Sequence, residues 1–344
     1  MDPVIVLVML AAFAVLAFDY TNGFHDAANA VATVIASRAM TPAQAVLVVG
    51  VFEFLGPLLG GTAVANTIGG FVYLGDLPVT LSLGVVLAAL IGAIAWNLLT
   101  WWRGIPSSSS HALVGALVGA AVTASSNGHV VWGFSALLQG RLEGVAKVLL
   151  ALLLSPLLGF GVGFLIHKFL RLAFRAARPS ANRHLRRAQF VTAAALAFSH
   201  GANDAQKSMG VLTLLLLLGG FVPRFEVPLW VILACAAAMT AGTLSGGWRI
   251  VRTLGFAVYK VRPLHAFDSQ LTSAAVILSA SLAGAPVSTS HVVASSIMGI
   301  GCSERPRRVR WGKAGEIALT WVVTLPVSAA AGALMLLVLR PLVE

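Results

Sequence analysis

The stretch PSSSSHALVGALVGA at residues 106–120 returns as PVSTSHVVASSIMGI at residues 286–300, with Pro106 over Pro286 and His111 over His291, an offset of 180. In both copies a proline leads into a run of hydroxyls and then into an apolar helix that begins at Ala112 or Val292. Proline suits the first turn of a helix, and Ser or Thr caps N–H groups that have no carbonyl to bond. A second pair of segments repeats at nearly the same interval. NGFHDAAN at 22–29 matches HGANDAQK at 200–207, with Gly23 over Gly201 and Asp26 over Asp204, an offset of 178. Two independent motifs at nearly one interval indicate an internal duplication.

The surroundings of these motifs are those of a membrane protein. Of 344 residues, 58% are hydrophobic and 10% charged, against about 25% charged in an ordinary soluble domain. Mean hydropathy is +0.90, and long apolar runs such as Val145–Ile166 and Pro228–Leu244 recur. The ten-residue alternation of a β-barrel is not evident, so the spans are expected to be helical. No Lys or Arg precedes Arg38, so the basic start of a cleavable signal peptide is missing and Pro3–Phe18 reads as the first part of a retained helix. The two cysteines, Cys235 and Cys302, have no CxxC spacing and read as buried, inert thiols.

The net charge of +11 does not point to nucleic acid, because 16 of the 23 Lys and Arg residues fall in three short segments. Seven lie in Lys168–Arg187, four in Arg249–Arg262 and five in Arg305–Lys313. Short basic loops are retained in the cytoplasm, and that rule orients the chain. From the central segment, Ala188–Phe221 leads outward with a break at its polar stretch, and Pro228–Trp248 returns. Leu271–Ala283 and Val287–Ile300, 13 and 14 residues long, fall short of the roughly 20 a spanning helix needs. They predict a re-entrant hairpin from the cytoplasmic side, after which Ala314–Leu339 crosses outward. In the first half, Pro3–Ser37 is a broken span, Ala43–Ala65 a span, Leu81–Ser125 the matching hairpin from outside, and Val145–Ile166 a span. Each half crosses an odd number of times, so the halves are oppositely oriented. The expected fold is an all-α polytopic membrane protein, an inverted-topology repeat with broken helices and re-entrant hairpins. Residues 1–167 and 188–344 form the repeats, 168–187 the cytoplasmic linker, and both termini lie outside. This architecture belongs to secondary transporters, whose site sits near the midplane where interrupted segments meet.

A helix start offers free N–H donors and partial positive charge, an anion site without a formal cation. Two such starts from opposite sides, carrying Ser107, Ser108, Ser109, Ser110, Ser288, Thr289 and Ser290, would enclose one small oxyanion such as phosphate. Asn29, Gln206 and Lys207 are the further anion-contact candidates. Carboxylates beside an anion repel it unless a cation lies between them or they are protonated. An intramembrane Asp costs roughly 2.5–3.5 kcal/mol and usually marks an ion or proton path. Asp26 and Asp204, flanked by His25 and Asn203, are therefore read as coupling residues, with helix capping as the bland alternative. Glu53 sits mid-span, where pairing or proton handling is expected. Lys207 stands where the first copy has Asn29, and either contacts an anion or pairs with a carboxylate. His111 and His291 read equally as packing residues or ligands, and Gln270 and Asn97 as helix-packing hydrogen-bonders. The GxxxG spacings Gly56–Gly60 and Gly115–Gly119 predict close helix packing. No fixed structural metal site and no GxSxG elbow are read, so the chain is not expected to be an enzyme.

NGFHDAANAVATVI, PSSSSHALVGA, SHGANDAQKSMG and PVSTSHVVASS together resemble the inorganic phosphate transporter (Pit) family, in its bacterial low-affinity branch, across residues 22–300. The resemblance implies phosphate import by symport in the bacterial inner membrane, driven by protons, with sodium used in other branches. It implies too that phosphate travels as a neutral complex with a divalent metal such as Mg2+, and that the protein is a homodimer. The family's Asn-Asp signature falls on Asn203 and Asp204, while His25 replaces the Asn in the first copy. Glu53 falls on an acidic position of the eukaryotic branch, but its partner position here is Gln270. A sulfate permease of the same family would keep the helix-start donors without needing a carboxylate for a substrate proton. A passive anion channel would use the same donors without accumulating substrate.

Overall fold

The computed structural model describes residues 2–125 and 127–343. Thirteen α-helices account for most of the described chain, and the only β pairing among these residues is an isolated bridge between Val72 and Val130. In order they are α1 (Pro3–Ala36), α2 (Pro42–Leu59), α3 (Ala63–Gly69), α4 (Val79–Arg103), α5 (Ser109–Ser125), α6 (Phe134–Leu138) and α7 (Gly144–Ala173). There follow α8 (Ala181–Leu218), α9 (Leu229–Ser245), α10 (Trp248–Arg252), α11 (Pro263–Leu282), α12 (Thr289–Glu304) and α13 (Trp311–Val343). Among the described residues, α1, α2, α4, α7 and α13 are each long and apolar enough to cross a bilayer.

The helix breaks lie elsewhere than the polar motifs suggest. Helix α1 runs unbroken through Asn22, His25, Asp26 and Asn29, and α8 through His200, Asn203, Asp204 and Lys207. None of these residues lacks an N–H or needs a left-handed backbone, and their side chains bond to other helices instead of competing for their own turn. Glycine pairs make the breaks. After α2 the chain turns at Gly60–Gly61, where Gly61 has φ +76°, before α3 begins. After α9 it turns at Gly246–Gly247, where Gly247 has φ +94°, and the two arms are bent by 59°. Only glycine enters that region without steric penalty.

Two further expectations need correction. Helix α11 has 20 residues instead of 13 because it starts at Pro263, in a polar segment shielded by protein: His265, Asp268, Ser269 and Gln270 are all buried. Apolar run length underestimates a helix whose polar end never meets lipid. Similarly, the basic segment 168–187 is mostly helix, since α7 ends at Ala173 and α8 begins at Ala181. Cys235 is buried as expected, whereas Cys302 is partly exposed.

Helices of one half pack on helices of the other. Helix α1 lies on α9 and α2 on α8, while α5 lies on α13 and α12 on α7. The crossings are closed by glycines. A Cβ on Gly23 would stand 2.0 Å from the Met239 carbonyl oxygen, and one on Gly242 2.0 Å from that of Tyr20. At the other crossing, a Cβ on Gly56 would stand 2.3 Å from the Phe198 oxygen and one on Gly201 2.2 Å from the Glu53 oxygen. The GxxxG reading holds in the same way. Gly60 faces the Ala202 Cβ, and Gly115 and Gly119 face the Leu325 and Ala329 carbonyls of α13.

The basic segments gather at one end of the molecule. Arg310 N donates to the Val258 carbonyl at 3.1 Å, Arg262 stands 3.8 Å from Glu304, and Gln189 reaches the Pro263 carbonyl. At the far end Gly219 meets Val8, and Gly84 meets Val343. Helix α1 therefore starts, and α8 ends, at the far end.

Candidate functional site

On α1, residues 22, 25, 26 and 29 share one helical face, as do 200, 204 and 207 on α8. These faces meet the starts of α5 and α12, and the two aspartates receive the hydroxyls there. Asp26 Oδ1 accepts from Ser290 Oγ at 2.9 Å and from His25 Nδ1 at 2.7 Å, and its Oδ2 accepts from Ser109 Oγ at 3.2 Å. Asp204 Oδ2 accepts from Thr289 Oγ1 at 2.8 Å, and its Oδ1 takes the Lys207 ammonium. Asn29 Nδ2 donates to Ser290 Oγ at 2.8 Å. Asp26 is 2% exposed and Asp204 0%.

The other hydroxyls have different work. Ser108 and Ser288 accept from the backbone N–H of His111 and His291, at 3.2 and 3.3 Å, and so cap α5 and α12. Ser107 Oγ lies 3.2 Å from His25 Nε2 and donates to Thr100 Oγ1 at 2.9 Å. Ser110 Oγ meets the Lys207 ammonium. The first N–H groups of each helix, at Ser109–Ser110 and Thr289–Ser290, precede any carbonyl of their own helix that could accept them.

Glu53 and His200 extend the cluster. His200 Nδ1 lies 2.6 Å from Glu53 Oε1, and its Nε2 3.1 Å from Asp204 Oδ2. One ligand atom each from Asp26, His200 and Asp204 lies within 4.8 Å of the others, close enough to hold one cation. The two repeat-related aspartates, 178 positions apart, thus come together in one cluster. His200 escaped the sequence reading, although its place four residues before Asp204 puts both on one helical face. A second group, His167, His265 and Glu304, has the same closeness at the basic end, where His167 bonds Asp268 and His265 bonds Glu304.

Gln206 and Asn203 bond elsewhere than at the hydroxyls of the helix starts. Gln206 Oε1 accepts from Val64 N at 2.8 Å, and its Nε2 donates to the Ala202 and Gly60 carbonyls at 2.6 and 3.2 Å. It ties α8 to the break before α3. Asn203 points to the turn between α11 and α12, donating to Ser281 Oγ at 2.9 Å and the Ala285 carbonyl at 3.2 Å. The aspartates cap nothing, since each lies inside a continuous helix. Gln270 packs as expected, bonding Thr192 and Thr33, but the Asn97 amide finds no hydrogen-bond partner among the described residues. His111 and His291 stack on each other with ring centroids 4.6 Å apart, and His291 on Trp321 at 4.0 Å.

A sequence profile of the phosphate transporter family (PHO4) matches residues 22–332. The chain belongs to that family. It is 44% identical, over 99% of each chain, to a protein of Bacillus subtilis (strain 168) called a probable low-affinity inorganic phosphate transporter. A protein of Rhizobium meliloti (strain 1021) with the same description is 40% identical over 93% of this chain and 92% of its own. Among solved structures, one titled "The sodium-dependent phosphate transporter" superposes with a TM-score of 0.87, covering 98% of this chain and 99% of the other at 24% identity. That likeness extends the shared fold over nearly the whole family member described here. The substrate class of the family is phosphate, and the long apolar helices make the chain an integral membrane protein.

Proposed function

We propose that the chain is a secondary active transporter that imports phosphate by cation symport, with phosphate held between the starts of α5 and α12. The observation that carries this reading is the convergence of Asp26 and Asp204 on the hydroxyls of both helix starts. Ser109, Ser290 and Thr289 donate to the carboxylates, and a phosphate at the helix starts would take the same donors. The carboxylates would then face an anion with fewer partners. A cation or proton arriving with the phosphate removes that conflict, and the reciprocal favour is coupling. His200, with ring nitrogens 2.6 Å from Glu53 and 3.1 Å from Asp204, gives a coupling proton a place to sit between two carboxylates. The cluster of Asp26, His200 and Asp204 equally suits a divalent metal carried with phosphate as cargo.

The fold supports an inverted repeat. Helices α1 and α8 begin at opposite ends of the molecule, and the crossing of α1 on α9 is repeated by that of α8 on α2. We place the basic end in the cytoplasm, with both termini outside and the protein in a bacterial inner membrane. Alternating access moves α5 and α12, with the helices they rest on, against α1 and α8. The homodimer stays a proposal from the family resemblance.

Labelled phosphate uptake into proteoliposomes under imposed pH or sodium gradients tests the reading, with excess sulfate as competitor. Uphill uptake that survives sulfate and disappears in Asp26→Asn and Asp204→Asn is expected. Mere equilibration, unchanged in both variants, would make the protein a channel and the aspartates structural. Competition by sulfate would make it a sulfate permease.

A further inference from the structure

Lys207 is one of the largest side chains to be fully buried, with 2% exposure. Its ammonium carries three N–H donors, and three oxygens receive them: Asp204 Oδ1, Ser110 Oγ and the Val287 carbonyl, the last at 2.8 Å. One carboxylate, one hydroxyl and one backbone carbonyl are the donor types by which proteins hold hard cations. They come from α8, from the start of α5 and from the residue before the Ser288 cap of α12. The ammonium therefore sits where three structural elements direct oxygen toward one point.

The other copy of the repeat has no such group. Its Asp26 stands in the place of Asp204, Ser290 in the place of Ser110, and Asn29 in the place of Lys207. Asn29 also reaches across to the hydroxyl, at 2.8 Å, but it brings a neutral amide. The two half-sites thus share a carboxylate and a hydroxyl and differ by one positive charge. A buried carboxylate without a countercharge is costly, so the position beside each aspartate calls for a cation. Near Asp204 the chain supplies it covalently. Near Asp26 it supplies only the His25 ring, 2.7 Å from Oδ1, which carries no permanent charge.

We propose that the Lys207 ammonium is a tethered cation, filling the position that a mobile monovalent cation would take beside Asp204. This rests on the symport reading and deepens it: one coupling cation is built into the protein, and only the Asp26 half takes a cation from solution. An ordinary structural ion pair between Lys207 and Asp204 predicts no such exchangeability.

The test replaces Lys207 by the residue of the other half, Lys207→Asn, with Lys207→Gln as the longer alternative. Phosphate uptake into proteoliposomes is measured at one imposed pH gradient with sodium, lithium, potassium or choline as the bulk cation. Wild-type uptake is expected to be the same in choline and sodium. In the variants it should fall by an order of magnitude or more in choline and be restored by sodium or lithium. A second readout needs no transport. In detergent without phosphate, sodium should raise the melting temperature of the variants by several degrees and leave wild type unmoved. Absence of uphill uptake in wild type would sink the symport reading while leaving this melting test to stand alone. Variants that fold without responding to any alkali cation, or that cannot be recovered folded in sodium, overturn the tethered-cation proposal. A wild-type shift as large as that of the variants overturns it as well.

Discussion

Gln206 is one residue from Lys207 and does something unrelated, because adjacent positions on a helix face different neighbours. Its side-chain oxygen satisfies the Val64 N–H just after the Gly60–Gly61 break. Gln206→Ala leaves that buried donor without a partner, a loss of about 1–3 kcal/mol. It should lower the melting temperature while leaving the KM for phosphate within error of wild type. A raised KM with unchanged melting would return Gln206 to the anion site. The contrast shows what was legible here. Asp26, Asp204, Ser109, Ser290, Thr289 and Asn29 were readable because each pairs a costly polar group with a repeated motif. Gln206 and Asn203 sit in the same motif, and nothing in residue order tells which face of α8 meets the helix starts and which meets a turn. Glu53 was legible as a paired carboxylate, but its partner His200 lies 147 positions away and only folding brings them together.

At the scale of elements, apolar runs located the long helices but not the short α3, α6 and α10, and the breaks, assigned to polarity, belong to glycine. That distinction is testable by two similar substitutions with different outcomes. Gly61 has nothing within 4 Å of a Cβ, so Gly61→Ala meets only its left-handed backbone, a cost of about 1–2 kcal/mol. Gly201→Ala places a Cβ 2.2 Å from the Glu53 carbonyl oxygen, on backbone that cannot step aside without parting α2 from α8. Size-exclusion profiles in detergent should show Gly61→Ala monodisperse and slightly less heat-stable, and Gly201→Ala largely aggregated. Equal profiles would mean that the crossing is not held by close approach. The short apolar arm of α11 misled for a related reason: hydropathy records contact with lipid, and Pro263–Gln270 is enclosed by protein.

For the whole molecule, the duplication was evident from two motif pairs, but not the exchange of packing partners between the halves. Length and composition describe each half as if it had its own core. The contacts put α5 against α13 and α12 against α7, so each hairpin has one arm, α4 or α11, on its own half and the other, α5 or α12, on the opposite half. Residues 1–173 and 181–344 expressed separately should each fail to give a monodisperse protein. Co-expressed, they should copurify and recover phosphate uptake. Independent folding of either piece would contradict the exchanged packing.

The exchange also has a consequence for synthesis. A ribosome releases the chain from its N-terminus, so α5, with Ser109 and Ser110 at its start, enters the membrane early and waits for α13, which emerges last. Through most of that interval α4 can rest on α1, but α5 lacks the α13 surface it packs on in the finished molecule. A nascent chain is therefore not a weaker version of the finished one, and a C-terminal truncation strikes first at α5, a helix made long before it.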